Sequence, residues 1–368
     1  MSYLFFVLFG SLGVYILFIL FFLTGLRKLK PVPNKITDWP HVSVVVAARN
    51  EEQNLTNLLQ DFSQLDYPTD KLDIVIADDR SSDNTWSIIE HYSKQYRQIR
   101  GIQIRNKSTE MTSKKYALTQ AIEQSSGEYI LSTDADCRIP PGWVKSMVSH
   151  LESGSGIVIG ASAIESLNHS SFSHYQMIDF LALVSANAGA SGWGFSWTGS
   201  GQNLAYKRSA FEKINGFYPV KDRVSGDDMY LVQAISKTHK CTFNSDAGSF
   251  IKARPVRSII QFLNQRIRWS SNSRLAVKTD WFFLLFLFNA FLLNTAILSG
   301  SFVPGIQSHI PMVFGIKFVC DALVIFSGAS MLHMFVPSII FIIWSMLQPI
   351  YIPFIGISGL LGKFIWKA

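Results

Sequence analysis

Cysteine is scarce in this chain: Cys137, Cys241 and Cys320 lie far apart, are odd in number and show no metal-ligand spacing. That excludes a disulfide framework and a cysteine-rich zinc site, and it fits a reducing compartment. Charge is scarce too, at 16% of 368 residues against 48% hydrophobic, a balance too apolar for an ordinary soluble enzyme. No solenoid repeat, low-complexity tract or basic stripe interleaved with aromatics occurs, so nucleic acid is not the expected partner. The net charge of +7 gathers instead where apolar segments begin, which points to an anionic lipid surface.

What the sequence has in quantity is long apolar runs. Tyr3 to Leu23 is almost uninterrupted and free of charge, long enough for a hydrocarbon core that needs roughly 20 helical residues. It exceeds a signal-peptide core, lacks a preceding cation and has no small-residue cleavage pattern after it, so a retained anchor is expected. Arg27, Lys28, Lys30 and Lys35 follow, and cationic flanks stay inside, which puts the next domain on the cytoplasmic face of a bacterial inner or plasma membrane. Further on, residues 252–278 contain seven Lys or Arg and no acid. There Ile259, Ile260, Leu263 and Ile267 recur on one side of an expected interfacial helix from Arg257 to about Arg274. Trp281–Val303 and Pro311–Met331 read as spans, and Phe335–Leu361, interrupted by Pro337, Pro349 and Pro353, either crosses or re-enters. A single crossing carries Ala368 outside, whereas Lys363 and Lys367 prefer the inside. The expected organisation is an anchor and basic flank over 1–36, a catalytic-type domain over 37–250, an interface helix over 251–280 and a membrane region over 281–368.

Residues 37–250 alternate short β-branched runs with stretches of helical period, the pattern of a mainly parallel α/β sheet covered on both faces. Strands are expected over Val42–Ala47, Asp73–Ala77, Gly101–Arg105 and Glu128–Thr133, with helices over Asn54–Leu65, Thr85–Tyr96 and Ser113–Gln124 between them. Two of these strands run into acids, Asp78-Asp79 and Asp134-Ala135-Asp136, at the carboxyl edge where open α/β sheets bind ligands.

Carboxylates one residue apart, like Asp134 and Asp136, suit a hard divalent ion such as Mg²⁺ or Mn²⁺ that also holds a diphosphate. Alone, such a triplet is more often a solvated turn or a helix cap. Asp78-Asp79 beside Arg49-Asn50-Glu51 supplies acceptors for a base and ribose, or simply caps the next helix. Ser225-Gly226-Asp227-Asp228 opens an apolar helical stretch, and an acid there serves as a general base or as a cap. Gln265-Arg266-Ile267-Arg268-Trp269 offers a guanidinium for a diphosphate and an indole for a sugar ring, or interfacial anchoring.

Taken in order, a strand into Ala47-Ala48-Arg49-Asn50-Glu51-Glu52, then Asp78-Asp79, Asp134-Ala135-Asp136, Thr198-Gly199-Ser200-Gly201-Gln202-Asn203, Gly226-Asp227-Asp228 and Gln265-x-x-Arg268-Trp269, the set resembles glycosyltransferase family 2. The likeness covers roughly residues 40–270 and looks like the membrane branch with cellulose, chitin and hyaluronan synthases and ceramide glucosyltransferases. It implies a GT-A fold and an inverting reaction. It further implies that Ala47, Arg49, Glu51 and Asp78 or Asp79 hold the base, that Asp134 holds ribose and phosphates, and that Asp136, with Asp134, holds the metal. Lys114 or Lys115 would lie near the nucleotide, Asp228 would be the general base with Asp227 supporting it, and Arg268 would meet the diphosphate. Gly199, Gly201, Asn203, Gln265 and Trp269 would shape the acceptor side. Arg49 stands where many members carry an aromatic residue, and Asp227 replaces the commoner Glu.

The resulting expectation is hexosyl transfer from a nucleotide-sugar, UDP-linked ahead of GDP-linked, to a lipid or glycan acceptor. The alternatives are a processive polysaccharide synthase, a catalytically silent membrane protein that keeps the fold for binding, and a nucleotidyltransferase.

Overall fold

A computed structural model describes residues 2–32, 36–165, 170–272 and 280–362. The expectations placed on Lys35, Arg274, Lys363, Lys367 and Ala368 lie outside the described residues. The chain divides into two compact units, one comprising Leu29–Ala163 and Gly194–Arg254, the other Met1–Lys28, Ile164–Trp193 and Pro255–Ala368.

The first unit is built on strands β1 (Val42–Ala48), β2 (Leu72–Asp79), β3 (Ile99–Ile104) and β4 (Tyr129–Asp134). Helices α2 (Leu55–Ser63), α3 (Thr85–Gln95) and α4 (Ser113–Glu123) connect them. β1 is buried along almost its whole length, as its run of Val residues requires of a strand covered on both faces. β5 (Cys137–Arg138), α5 (Trp143–Glu152), β6 (Ser155–Gly160) and β7 (Ser162–Ile164) follow. The sheet runs β3-β2-β1-β4 in parallel, then continues through β8 (Leu204–Lys207), β6 and β9 (Lys240–Asn244), with β8 antiparallel to both neighbours. α7 (Arg208–Lys213) and α8 (Asp227–Ile235) lie between β8 and β9 in the chain, and β10 (Ile251–Ala253) joins β5 and β7 in a second small sheet.

The second unit is helical. α1 (Ser2–Leu26), α10 (Trp281–Gly300), α11 (Ile310–Met331) and α12 (Ser338–Leu361) form most or all of the four stretches among the described residues that are long and apolar enough to cross a membrane. They expose large apolar side chains such as Phe6, Leu17, Phe288 and Ile350, which suits lipid contact. α12 is one continuous helix with Pro349 and Pro353 inside it, so the described residues show no re-entrant turn there.

Two helices differ from expectation. α6 (Ser171–Gly192) falls inside the stretch expected to be one uninterrupted domain, yet belongs to the helical unit. A Cβ on Gly25 would stand 1.8 Å from the Gly189 carbonyl oxygen, and one on Gly192 would stand 2.0 Å from that of Gly25. Only paired small residues let α1 and α6 approach so closely. α9 (Ile259–Ser271) starts later than expected. Its apolar side is split, with Ile259 and Ile260 exposed and Ile267 buried.

Candidate active site

Parallel pairing sets Ala47 of β1 beside Asp134 of β4, and Ala48 beside Asp78 of β2. Both acidic strand ends therefore flank the carboxyl end of β1. The first turn of α4 brings Lys114 to this edge, where its Nζ lies 2.6 Å from Asp134 Oδ1. Burial acts against the Lys114 charge, but Asp134, then Asp227 and Asp228, outweigh it and hold its pKa above the ordinary value.

The chain reaches the same pocket at the start of α8. Gly226 precedes that helix at φ +90°, a left-handed conformation that favours glycine. Asp227 and Asp228 then occupy the first turn, and the pocket is lined by Lys114, Asp134, Gly201, Asp227 and Asp228. Asp228 Oδ2 accepts the Gly201 backbone N–H at 3.1 Å, and Oδ1 accepts that of Met229 at 2.8 Å. Loss of water and the Asp227 charge push the Asp228 carboxyl up to about 6, against the pull of its backbone donors and Lys114. A carboxylate titrating there is matched to taking a proton near neutrality.

Among the described residues no group of three His, Cys, Asp or Glu side chains is arranged to hold a metal by itself. Asp134 and Asp136, on either side of buried Ala135, carry hard oxygen donors of the kind a Mg²⁺ or Mn²⁺ takes, the remaining ligands of such an ion coming from a diphosphate and water. Soft ligands are not part of this pair: Cys137 is buried, and its thiol is raised well above the ordinary value by burial and by Asp136.

Several expected site residues are committed elsewhere. Asp78 and Asp79 are 1% and 5% exposed, so both are largely withdrawn from solvent. Burial raises the Asp78 pKa, and the Asp79 carboxylate is gripped by Arg80. Before α3 it is Asp83 whose Oδ1 accepts from Thr85 N, at 3.0 Å. Glu51 is structural in this state: its N–H donates to Thr85 Oγ1 at 2.8 Å and its carboxylate accepts from Asn54 at 2.7 Å. Arg49 is exposed at the strand end. Of the two lysines, only Lys114 lines the pocket; Lys115 is buried and donates to Thr112 Oγ1 and the Arg223 carbonyl.

On the expected acceptor side, Asn203 is corrected to a core residue. It is fully buried, accepts from Trp143 Nε1 at 2.8 Å and donates to the Ala161 and Ser249 carbonyls at 2.7 and 3.0 Å. Gly199 has a packing reason, since a Cβ there would meet Leu204 and Val232 side chains at 2.7 and 2.9 Å. Gly201 does face the pocket, through its N–H to Asp228.

Gln265, Arg268 and Trp269 lie on α9 in the helical unit. The buried charge of this segment is its neighbour Arg266, which the sequence reading passed over. Its Nε donates to Asp179 Oδ2 of α6 at 2.6 Å, its Nη1 to Gln265 Oε1 at 2.5 Å, and its guanidinium covers Trp269 at 4.3 Å from the ring centroid. Trp344 Nε1 and the Tyr351 hydroxyl of α12 complete the shell of Asp179 at 3.3 and 3.4 Å. Asp179 was detectable in sequence as a lone acid within an apolar helical stretch.

Residues 43–215 match the model described as glycosyl transferase family 2. These residues belong to that family. Over 261 residues the chain is 25% identical to the beta-monoglucosyldiacylglycerol synthase of Synechocystis sp. (strain ATCC 27184 / PCC 6803 / Kazusa), covering 67% of this chain and 53% of that protein. It is 28% identical over 239 residues to "Probable glycosyltransferase YdaM" of Bacillus subtilis (strain 168), covering 62% and 56%. The alignments thus span little more than half the length of these curated relatives. Among solved structures, the mannosyltransferase PcManGT from Pyrobaculum calidifontis, in complex with GDP-Man and Mn²⁺, superposes with a TM-score of 0.62 at 20% identity, covering 98% of both chains. The fold is GT-A, with apolar helices before and after the α/β domain.

Proposed function

We propose that this family 2 chain is a membrane-anchored, metal-dependent, inverting hexosyltransferase that moves a sugar from a UDP-sugar to a lipid acceptor at the cytoplasmic face. The observation that carries the reading is the convergence of Asp134, Lys114, Asp227 and Asp228 on one pocket. Asp134 and Asp136 would hold a divalent ion, which when bound supplies positive charge to the departing diphosphate. Lys114 adds a fixed cation beside it. Asp228 takes the proton from the acceptor hydroxyl as that oxygen attacks C1 from the face opposite the nucleotide. One such attack inverts the anomeric centre, so no carboxylate nucleophile is required. Asp227 raises the basicity of Asp228, and Arg268 and Trp269 are assigned to the diphosphate and acceptor.

The relatives support the choice of acceptor: the Synechocystis protein is named for a glucosylated diacylglycerol. The Gln265-x-x-Arg268-Trp269 segment favours a second reading, processive glycan synthesis, because it resembles that of polymerising members. Purified protein is incubated with a panel of labelled nucleotide-sugars, Mn²⁺ and membrane lipids. Release of UDP with organic-extractable label supports lipid glycosylation. High-molecular-weight label supports the synthase, and release of free pyrophosphate sinks both in favour of a nucleotidyltransferase.

A further inference from the structure

Within the helical unit, α1 and α11 lie side by side and run the same way. Phe5, in the first turn of α1, meets His309, just before α11, with ring centroids 5.5 Å apart. Halfway along, the Tyr15 hydroxyl donates to Asp321 Oδ1 at 2.6 Å, and the last turns of both helices share one groove. Its volume is about 690 Å³, the size of a small-ligand site. Leu23, Leu26, Phe318 and Phe326 line it, and Ala322 and Ser327 between them are too small to fill it. From Phe318 to Met331 the groove follows α11 for about 20 Å, the depth of one bilayer leaflet with its headgroup zone.

Polar groups stand at one end only. Arg27, exposed just past the last turn of α1, lines the groove together with Ser327 and Ser330 of α11. Hydroxyls in apolar helices commonly donate to the carbonyl four residues back, as Thr295, Ser299 and Ser301 do in α10 and just after it, at 2.8–2.9 Å. Ser327 and Ser330 have no side-chain hydrogen bond among the described residues, and neither has the Arg27 guanidinium. Its neighbour Lys28 is committed elsewhere, 2.9 Å above the Trp193 ring centroid. No Asp or Glu occurs in residues 1–37 or 322–368, so neither segment that forms this end brings a carboxylate to it. We propose that the groove binds an anionic phospholipid of the leaflet beside the basic flank. One acyl tail lies along α11, the phosphate meets Arg27, and Ser327 and Ser330 donate to the headgroup. A guanidinium pairs strongly with phosphate oxygens, and basic pockets between membrane helices suit acidic headgroups. Neutral diacylglycerol supplies the tail but leaves Arg27 unpaired, and phosphatidylcholine brings a cation of its own to compete. The site requires α1 and α11 to span the membrane and is independent of the transfer chemistry.

The test is native mass spectrometry of the full chain in detergent, titrated with phosphatidylglycerol, phosphatidylcholine and diacylglycerol. The wild type is expected to retain phosphatidylglycerol at concentrations where the other two are lost. Arg27→Gln, at an exposed position beyond the helix, should weaken phosphatidylglycerol by about tenfold, the size of one hydrogen bond to a charged group, and erase its lead over phosphatidylcholine. Ala322→Phe fills the groove and should weaken both phospholipids. Lys30→Gln removes the same charge outside the groove and should change little. Equal losses in Arg27→Gln and Lys30→Gln would make the attraction diffuse and overturn the site. Diacylglycerol bound as tightly as phosphatidylglycerol overturns the choice of occupant, and unchanged binding in Ala322→Phe overturns the groove as the place of the tail. These readouts need no turnover, so failure of this site and failure of the glycosyltransferase reading are separately visible.

Discussion

Asp228 holds its place through two backbone N–H groups, and its carboxyl is pushed up to about 6 because water is excluded and Asp227 adjoins it. If it is the base, Asp228→Asn should lower kcat by about 10²–10⁴-fold, the usual contribution of a positioned base. UDP affinity measured by titration should stay near wild type. Loss of both together would make Asp228 a binding group. The sign of the pH dependence follows from the same carboxyl: it must be ionised to accept a proton, so kcat/KM should rise with pH through about 6 and then level. The charged groups coupled to it are Asp227 and Lys114, with Lys115 also within electrostatic reach. Removing the Asp227 charge relieves repulsion, so Asp227→Asn should move the inflection to lower pH; an inflection that stays or rises contradicts this. Asp136 is separable by another readout: Asp136→Asn should weaken UDP binding only when Mn²⁺ is present. Equal affinities of the two proteins with the ion count against the metal assignment.

Elements were legible where the signal is local. β1 to β4 and the helices between them follow from β-branched runs and helical periodicity, and they were placed to within a few residues because each run is bounded by acids, Ser or Pro. The acids of β4 and α8 stood out because they end a strand and start a helix, and they line one pocket. What sequence did not reveal depends on partners far along the chain. Asn203 is a core hub because Trp143, Ala161 and Ser249 converge on it. Asp79 is closed by Arg80 because the loop turns left-handed. α6 passed unnoticed because its Ser, Ala, Asn and Gly dilute an apolar stretch and it docks on α1 through glycines. The Arg266–Asp179 pair that joins α9 to α6 is almost fully buried, at 4% and 6% exposure. Removing one partner strands a charge, so Arg266→Leu or Asp179→Leu alone should cost about 3–5 kcal/mol, whereas the double replacement should recover much of it. Thermal unfolding in detergent of the three variants checks this. A double variant no more stable than the singles rules out a stranded charge as the cause.

For the molecule as a whole, the decisive asymmetry is where the cations are. Arg27, Lys28 and Lys30 follow α1, and residues 252–278 carry seven Lys or Arg without an acid, whereas residues 301–309 between α10 and α11 contain neither Lys nor Arg. Cations are retained on the cytoplasmic side, so the proposed topology puts both segments there and the α10–α11 connection on the opposite face. In the same proposed topology α11 crosses back, so the connection from α11 to α12 returns to the cytoplasmic side. Exposed positions on each side make this measurable: Ser308 lies in the α10–α11 connection and Glu90 on α3 of the α/β unit, both at the surface. In a background with Cys241→Ser, where Cys137 and Cys320 are buried, Ser308→Cys should react with a membrane-impermeant maleimide in intact cells. Glu90→Cys should react only after the cells are opened. Labelling of Glu90→Cys from outside would invert the anchor and place the donor pocket where cytosolic nucleotide-sugars do not reach it, removing the physical basis for the activity proposed here.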